Sequence, residues 1–338
     1  VIEHHEWCGK PPSCVFYQIK PEVVLVLNPS KTGNWIDAIL DDFFVDQLSD
    51  TTKDWKERNK PGVISGSKFA ACKRQSYYAA IDQRGDDKKD IRKAFDSFSR
   101  RIMFLGHKSE EYVFGAIRAA QKAGKLTGSL HTDQQSAPVN LHLIKTGTDG
   151  AEYDFGVTTD GVVEDILLWG GETRRVYYPI ELKQTDRPYQ SWWKKTIKGK
   201  DYREFDRNPW QERQLVHYMA IAADLGYTMP YGMLKYYRRI DYDTLTWVYY
   251  WREYESLIFD AFSGCNAQEY SFVELDYLVK EDRQAMSQHI FDVEAKSLPP
   301  PSSDLSSYIC DACPYKAQCW MEQGNPRKRD VPKIKTSS

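Results

Sequence analysis

Residues 156–165, GVTTDGVVED, and residues 179–185, PIELKQT, decide how this chain is read. The first stretch sets Thr159, Asp160 and Gly161 between EYDFGV and VVEDILLW, two runs rich in β-branched and aromatic residues, which predicts a turn between strands. A second turn signal at Gly170 and Gly171 and a further strand, VYYPIELK, extend this into an antiparallel meander. Side chains alternate along a strand, so Glu181 and Lys183 share one face while Leu182 takes the other. Asp160 reaches the same place if the predicted hairpin pairs. Two carboxylates at a strand edge, beside the carbonyl of Leu182, make an oxygen-rich site suited to magnesium or manganese. A metal there would polarise a scissile phosphate and lower the pKa of a bound water, with Lys183 orienting that water or countering the developing charge. An isolated Glu-x-Lys is common on exposed strands, so the reading depends on its neighbours.

Those neighbours lie on helices. NPWQERQLVHYMAIAADLG (208–226) returns to helical spacing, with Asn208 as cap, Pro209 as first helical residue and Gly226 as stop. Gln214 and Tyr218, four residues apart, share one face of it. Upstream, residues 91–124 predict a long helix closed by Gly124; it carries His107 and Glu110, the latter a third carboxylate. Ser67 is expected to cap KFAACKRQSYYAAI (68–81), with Cys72 about a turn and a half inside. NWIDAILDDFFVDQLSD (34–50) predicts a short amphipathic helix, MPYGMLKYYRRI and TLTWVYYW two strands, and residues 274–298 a long helix.

The chain has 338 residues, 41% hydrophobic and 28% charged, enough for a large α/β core. A formal net charge of -2 gives no global basic field, so any polyanion must be met by local patches. One such patch is SWWKKTIKGKDYR (191–203), where Trp192 and Trp193 stand beside Lys194, Lys195, Lys198, Lys200 and Arg203; lysines neutralise phosphates and tryptophans stack unpaired bases. Arg327, Lys328 and Arg329 open a basic tail. No apolar run reaches the roughly 18 residues of a membrane span and VIEHHEWCGK lacks the regions of a signal peptide, so the expectation is a cytoplasmic protein without a membrane partner. Seven cysteines, unevenly spread, argue for reduced thiols or metal ligands rather than a disulfide framework. Cys310, Cys313 and Cys319 cluster in CDACPYKAQC, while Cys8, Cys14 and Cys265 read as free or buried thiols.

Taken in order, Glu110 in GHKSE, Asp160 in GVTTDGVV, Glu181 and Lys183 in ELK, and Gln214 and Tyr218 in QLVHY resemble the motifs of the PD-(D/E)XK nuclease superfamily. The Gln-x-x-x-Tyr helix after Glu-x-Lys narrows the likeness to its RecB-like branch, over about residues 64 to 320. The resemblance implies an α/β fold with a restriction-endonuclease-like mixed sheet core flanked by helices. It implies a divalent-metal-dependent deoxyribonuclease, with Glu110, Asp160 and Glu181 holding Mg2+ or Mn2+, Lys183 assisting the attacking water, and Gln214 and Tyr218 positioning the DNA backbone or water. The expected substrate is single-stranded DNA or DNA ends, in recombination, repair or related processing. The alternative is a noncatalytic DNA-binding or assembly module on the same fold.

In members resembling the AddB nuclease subunit and the CRISPR-associated adaptation nucleases, an upstream cysteine joins a C-terminal C-x2-C-x5-C around a [4Fe-4S] cluster. That resemblance implies Cys72, Cys310, Cys313 and Cys319 as ligands; four thiolates also suit zinc, though zinc usually collects ligands as two close pairs. The expected organisation is an extension over 1–60, a nuclease domain over 61–320 and a flexible basic tail over 321–338. The chain departs from the pattern in three ways. Glu110 stands where many RecB-like nucleases carry histidine. Gly156 and Asp160 are one residue further apart than usual, so Glu164 or Asp165 are alternatives for the second metal carboxylate. There is no phosphate-binding helicase loop, which points to a standalone nuclease or one recruited by a helicase or recombination partner.

Overall fold

The strand-rich stretch 140–185 is divided between two sheets instead of forming one meander. The computed structural model describes residues 63–81, 97–124, 128–185, 195–197, 200–202, 209–238, 244–263 and 270–300, with Cys313, Tyr315 and Cys319, all within the unit Phe44–Ser338. In chain order these form β1 (Val63–Ser65), α1 (Gly66–Ala71), α2 (Lys73–Ile81), α3 (Ser97–Lys122), β2 (Ser129–His131), β3 (Asn140–Thr146), β4 (Glu152–Thr158), β5 (Gly161–Trp169) and β6 (Glu172–Thr185). There follow β7 (Lys195–Ile197), β8 (Lys200–Tyr202), α4 (Pro209–Asp224), β9 (Tyr231–Arg238), β10 (Thr244–Tyr250), α5 (Glu255–Ala261), β11 (Tyr270–Glu274) and α6 (Asp276–Glu294).

The fold is mixed α/β. The smaller of its two mixed sheets has the order β1-β4-β3, with β1 parallel and β3 antiparallel to β4. The larger has the order β11-β10-β9-β6-β5-β2; β6 with β9 and β10 with β11 are parallel, and the remaining pairs antiparallel. β7 and β8 form a separate hairpin. The predicted pairing across Thr159 and Asp160 is therefore corrected: β4 and β5 belong to different sheets, and those two residues are the crossover. The true hairpins are β3 with β4 and β5 with β6, the latter turning at Gly170 and Gly171, whose φ of 60° and 81° suit glycine.

Helices cover both faces of the larger sheet. On one side, Leu215, Val216, Met219 and Ile221 of α4 join Phe155 and Val157 of the small sheet, Leu234 of β9, and Val279 and Met286 of α6 in the main core. Each such side chain contributes roughly 1.5–3 kcal/mol on burial. On the other side, Phe114 of α3 packs with Val163, Ile180, Leu182 and Met233. The alternation along β6 turns Ile180 and Leu182 toward α3, which leaves Glu181 and Lys183 to the opposite face as expected. A third cluster joins Val248 and Tyr250 of β10 to Ile258 of α5.

The helix expected over 68–81 is interrupted at Cys72 and begins earlier, at Gly66. A Cβ at Gly66 would sit 2.7 Å from Val157 Cγ2, so the close approach of α1 to β4 governs where it starts. Ser67 lies inside α1 and meets the Ser65 hydroxyl at 3.1 Å. α4 spans the predicted helix and stops at Gly226 (φ 84°); Gly124 (φ 68°) ends α3 in the same way. α6 is shorter than the predicted 274–298. Strands β1, β2, β7 and β8, three residues each, carry too little period to be read from sequence. The predicted helix over 34–50, Cys8, Cys14, Cys265 and the basic tail lie outside the described residues.

Two histidines sit in the main core. His217 of α4 is wholly buried and pairs through Nδ1 with Asp282 of α6 at 2.8 Å, its ring 4.8 Å from that of Phe69. His289 of α6 is buried against Phe69 and Phe155, and neither of its ring nitrogens has a hydrogen-bond partner among the described residues. Burial first, opposed by Asp292 and reinforced by Lys73, lowers its pKa to about 4. The folded state thus favours neutral imidazole, and the stability this protects is complete above the unfolded pKa of 6.5 and lost as pH falls through 4. Urea unfolding of the wild type should lose on the order of 3 kcal/mol more than His289→Leu between pH 7 and 4. Parallel pH profiles for the two proteins would disprove this.

Candidate metal-binding active site

The site forms where β6 outruns β5. Their pairing ends at Gly161 opposite Ile180, while β6 continues to Thr185 alongside β9, so Leu182 lacks a β5 partner. The carboxylate of Asp160 takes that place, its Oδ2 accepting the Leu182 N–H at 2.6 Å. Glu181, 1% exposed, turns its carboxylate into the same space; its Oε1 accepts from Lys183 Nζ at 2.5 Å and its Oε2 from the Thr159 hydroxyl at 3.3 Å. Thr159 also donates to the Ile180 carbonyl at 3.0 Å. Lys183 keeps 18% of its side chain exposed, which leaves the cluster open on one side.

Gly161 lets α3 approach. A Cβ there would meet the Phe114 ring at 2.7 Å, and Glu110, one turn before Phe114, is thereby close enough for its charge to act on Asp160 and Lys183. Burial above all, then the negative charges of Glu181 and Glu110, push Asp160 well above the usual carboxylate range, against the pull of Lys183 and the Leu182 N–H. For Lys183, burial alone would lower the pKa, but Glu181, Asp160 and Glu110 outweigh it and raise it above the ordinary lysine value. Its ammonium therefore stays charged at neutral pH.

Among the described residues, no group of three or more His, Cys, Asp or Glu side chains stands arranged to hold a metal ion. The donor chemistry nevertheless fits a hard divalent cation. Asp160 and Glu181 meet at a partly open site beside the Lys183 ammonium, the negative charges of Glu181 and Glu110 both act on Asp160, and a cation would relieve the repulsion that raises it.

The other predicted residues fall in different places. Glu164 pairs with His131 at 2.9 Å and Arg175 at 3.2 Å, and Asp165 accepts the Ile166 N–H; it is Asp160 that meets Glu181 and Lys183. His107 lies 3.6 Å from Glu110. Gln214 is half-buried on α4. Tyr218, 1% exposed, belongs to the main core, where its hydroxyl donates to the Pro138 carbonyl. Lys195 and Lys200 begin β7 and β8, whereas Trp192, Trp193, Lys194, Lys198 and Arg203 lie outside the described residues. The sequence marks Thr159 only as a turn residue and gives no sign of Gln134, whose side-chain amide donates to the Thr159 carbonyl at 2.9 Å. The only signal was the adjacency of Thr159 to Asp160.

No disulfide joins Cys72, Cys313 and Cys319 to one another, and Cys310 lies outside the described residues. Arg74, 7% exposed, donates through Nε to the Pro299 carbonyl at 2.8 Å and through Nη1 to Cys319 Sγ at 3.5 Å. Tyr78 stacks on Tyr315 with ring centroids 5.3 Å apart. Cys319 and Tyr315 therefore rest on α2, the helix that begins directly after Cys72.

No family model matches the chain, and no curated protein matches it. Among solved structures it is similar to one titled "Crystal structure of SSO0001", at a TM-score of 0.44 and 11% sequence identity, covering 85% of this chain and 96% of that one. At that distance neither fold nor activity carries over. No helix among the described residues is long and apolar enough to cross a membrane.

Asp160 supplies a stability test. Its raised pKa means the folded state resists its ionisation, a penalty that is full above the folded pKa and disappears as pH falls below the unfolded value of 3.8. Asn retains an oxygen to accept the Leu182 N–H. In metal-free protein, Asp160→Asn should therefore melt higher than the wild type at pH 8 and lose that advantage at acid pH. A lower melting temperature for Asp160→Asn at pH 8 would contradict the electrostatic account.

Proposed function

We propose that the chain is a divalent-metal-dependent nuclease that hydrolyses phosphodiester bonds in DNA, preferentially single strands or ends, in recombination, repair or related processing. The observation that carries this reading is the meeting of Asp160, Glu181 and Lys183 at the end of the β5–β6 pairing, with the charge of Glu110 in reach. The mixed sheet with helices on both faces is compatible with a restriction-endonuclease-like core.

Glu110, Asp160 and Glu181 would hold Mg2+ or Mn2+, which when bound supplies a Lewis acid for the phosphate and a more acidic water. Lys183, kept protonated by the surrounding carboxylates, serves as a positive hydrogen-bond donor to the attacking water or the phosphate oxygens and not as a base. Glu181 anchors that ammonium through Oε1, and Thr159 steadies the other oxygen. Gln214 is assigned to positioning DNA or water. The β7–β8 hairpin and the preceding residues, with Trp192, Trp193, Lys194, Lys195 and Lys198, would meet the nucleic acid through phosphate pairing and base stacking.

Cys72, Cys310, Cys313 and Cys319 are proposed to hold a [4Fe-4S] cluster joining the helices around α2 to the terminal segment. The seating of Cys319 and Tyr315 on Arg74 and Tyr78 supports this, as does the chemistry of a buried guanidinium beside a ligand sulfur, where its charge offsets that of the thiolates. Such a cluster would close a loop of more than two hundred residues and turn binding energy into folding energy. A helicase or recombination protein is the expected partner.

Labelled single-stranded DNA incubated with manganese should be cleaved by wild-type protein and at least about 100-fold more slowly by Lys183→Ala, each assayed well below its own melting temperature. DNA binding without turnover by the wild type would instead favour a noncatalytic module. Protein purified without oxygen should contain iron and sulfide, and Cys72→Ala should lose both while Cys265→Ala keeps them. Zinc in place of iron would overturn the cluster assignment.

A further inference from the structure

The Gln-x-x-x-Tyr helix leaves Tyr218 in an unexpected position. Its hydroxyl lies in the core and is engaged by the Pro138 carbonyl, so no ligand reaches it without unfolding the helix packing. Pro138 belongs to residues 133–139, a loop that Asp133 closes on itself by accepting from the Gln135 N–H at 3.0 Å and the Ser136 hydroxyl at 2.8 Å. The Ser136 carbonyl accepts the Asn140 N–H at 2.9 Å, which joins the loop to β3.

The same loop grips the crossover that carries Asp160. The Val139 carbonyl accepts the Thr159 N–H at 3.1 Å. Gln134 Nε2 donates to the Thr159 carbonyl at 2.9 Å and reaches the Asp160 carbonyl at 3.5 Å. Thr159, 2% exposed, passes the constraint on through its hydroxyl to the Ile180 carbonyl and Glu181 Oε2. The crossover leaves β4 at Thr158 and enters β5 at Gly161, so residues 159 and 160 have no ladder of their own. Carboxylates that repel one another will spread unless their backbone is held.

We propose that residues 133–139 form a bracket that sets the separation of Asp160 and Glu181, with Gln134 and Thr159 as positioning residues. Tyr218 acts on the metal site through this bracket and not by touching nucleic acid. The inference rests on the proposed metal site, and outer-shell partners of this kind change metal affinity by about 10- to 100-fold.

The test is Mn2+ binding to the full chain without DNA, read from the paramagnetic resonance signal of free Mn2+, with thermal melting measured in parallel. Gln134→Ala and Tyr218→Phe should each weaken binding by about tenfold. Combined, they should weaken it by less than the product of the two, because both loosen one loop. Ile221→Val, a methyl deletion in the same helix and core, should lower the melting temperature yet bind Mn2+ as the wild type does. Asp160→Asn should abolish binding. If Asp160→Asn abolishes binding while Gln134→Ala and Tyr218→Phe bind normally, the bracket is wrong and the metal site stands. If the wild type takes up no Mn2+, the metal site and the bracket fall together.

Discussion

One hydrogen bond organises the candidate site: Asp160 Oδ2 accepting the Leu182 N–H at 2.6 Å. A strand that outlasts its neighbour exposes backbone donors, and an unsatisfied buried N–H costs about 1–3 kcal/mol. By supplying the acceptor, Asp160 finishes the sheet and is drawn beside Glu181. The completion of the backbone ladder and the assembly of an acidic site are thus one event, placed where the chain passes from the small sheet to the large one.

That arrangement concentrates negative charge. Burial and like charge both oppose ionisation of Asp160, and the Lys183 cation answers them. A site that is electrostatically uncomfortable when empty gains more from a cation than a relaxed one does, because binding removes repulsion as well as forming bonds. The same crowding keeps the Lys183 ammonium protonated, so its chemistry is limited to donating hydrogen bonds and stabilising anions.

Stability and site are coupled through a few long-range contacts. α4 fills the space between the two sheets, and its Tyr218 hydroxyl ties that core to the loop behind Asp160. Elsewhere, Arg74 and Tyr78 of α2 receive Cys319 and Tyr315, more than two hundred residues away in sequence. The buried histidines of α4 and α6 lie against Phe69 of α1, so these three helices share one core.

Local pattern was enough for the elements that carry their own period or punctuation. Alternation placed Glu181 and Lys183 on one face of β6, and Gly124 and Gly226 marked the ends of α3 and α4, because a left-handed residue after a helix is a local backbone requirement. Pairing partners are not local. The runs flanking Thr159 and Asp160 have the alternation of a hairpin, yet which strand each joins depends on the faces available in the whole molecule, and they went to separate sheets. The break at Cys72 and the roles of Gln134 and Thr159 likewise arise from contacts that close only in three dimensions. The sequence alone thus determined which side chains could act together on a strand or helix, since that follows from backbone geometry. The tertiary structure decided which of them meet: it brought Asp160, not Glu164 or Asp165, to Glu181, and it turned Tyr218 into the core, because burial and hydrogen-bond satisfaction are settled over the whole fold.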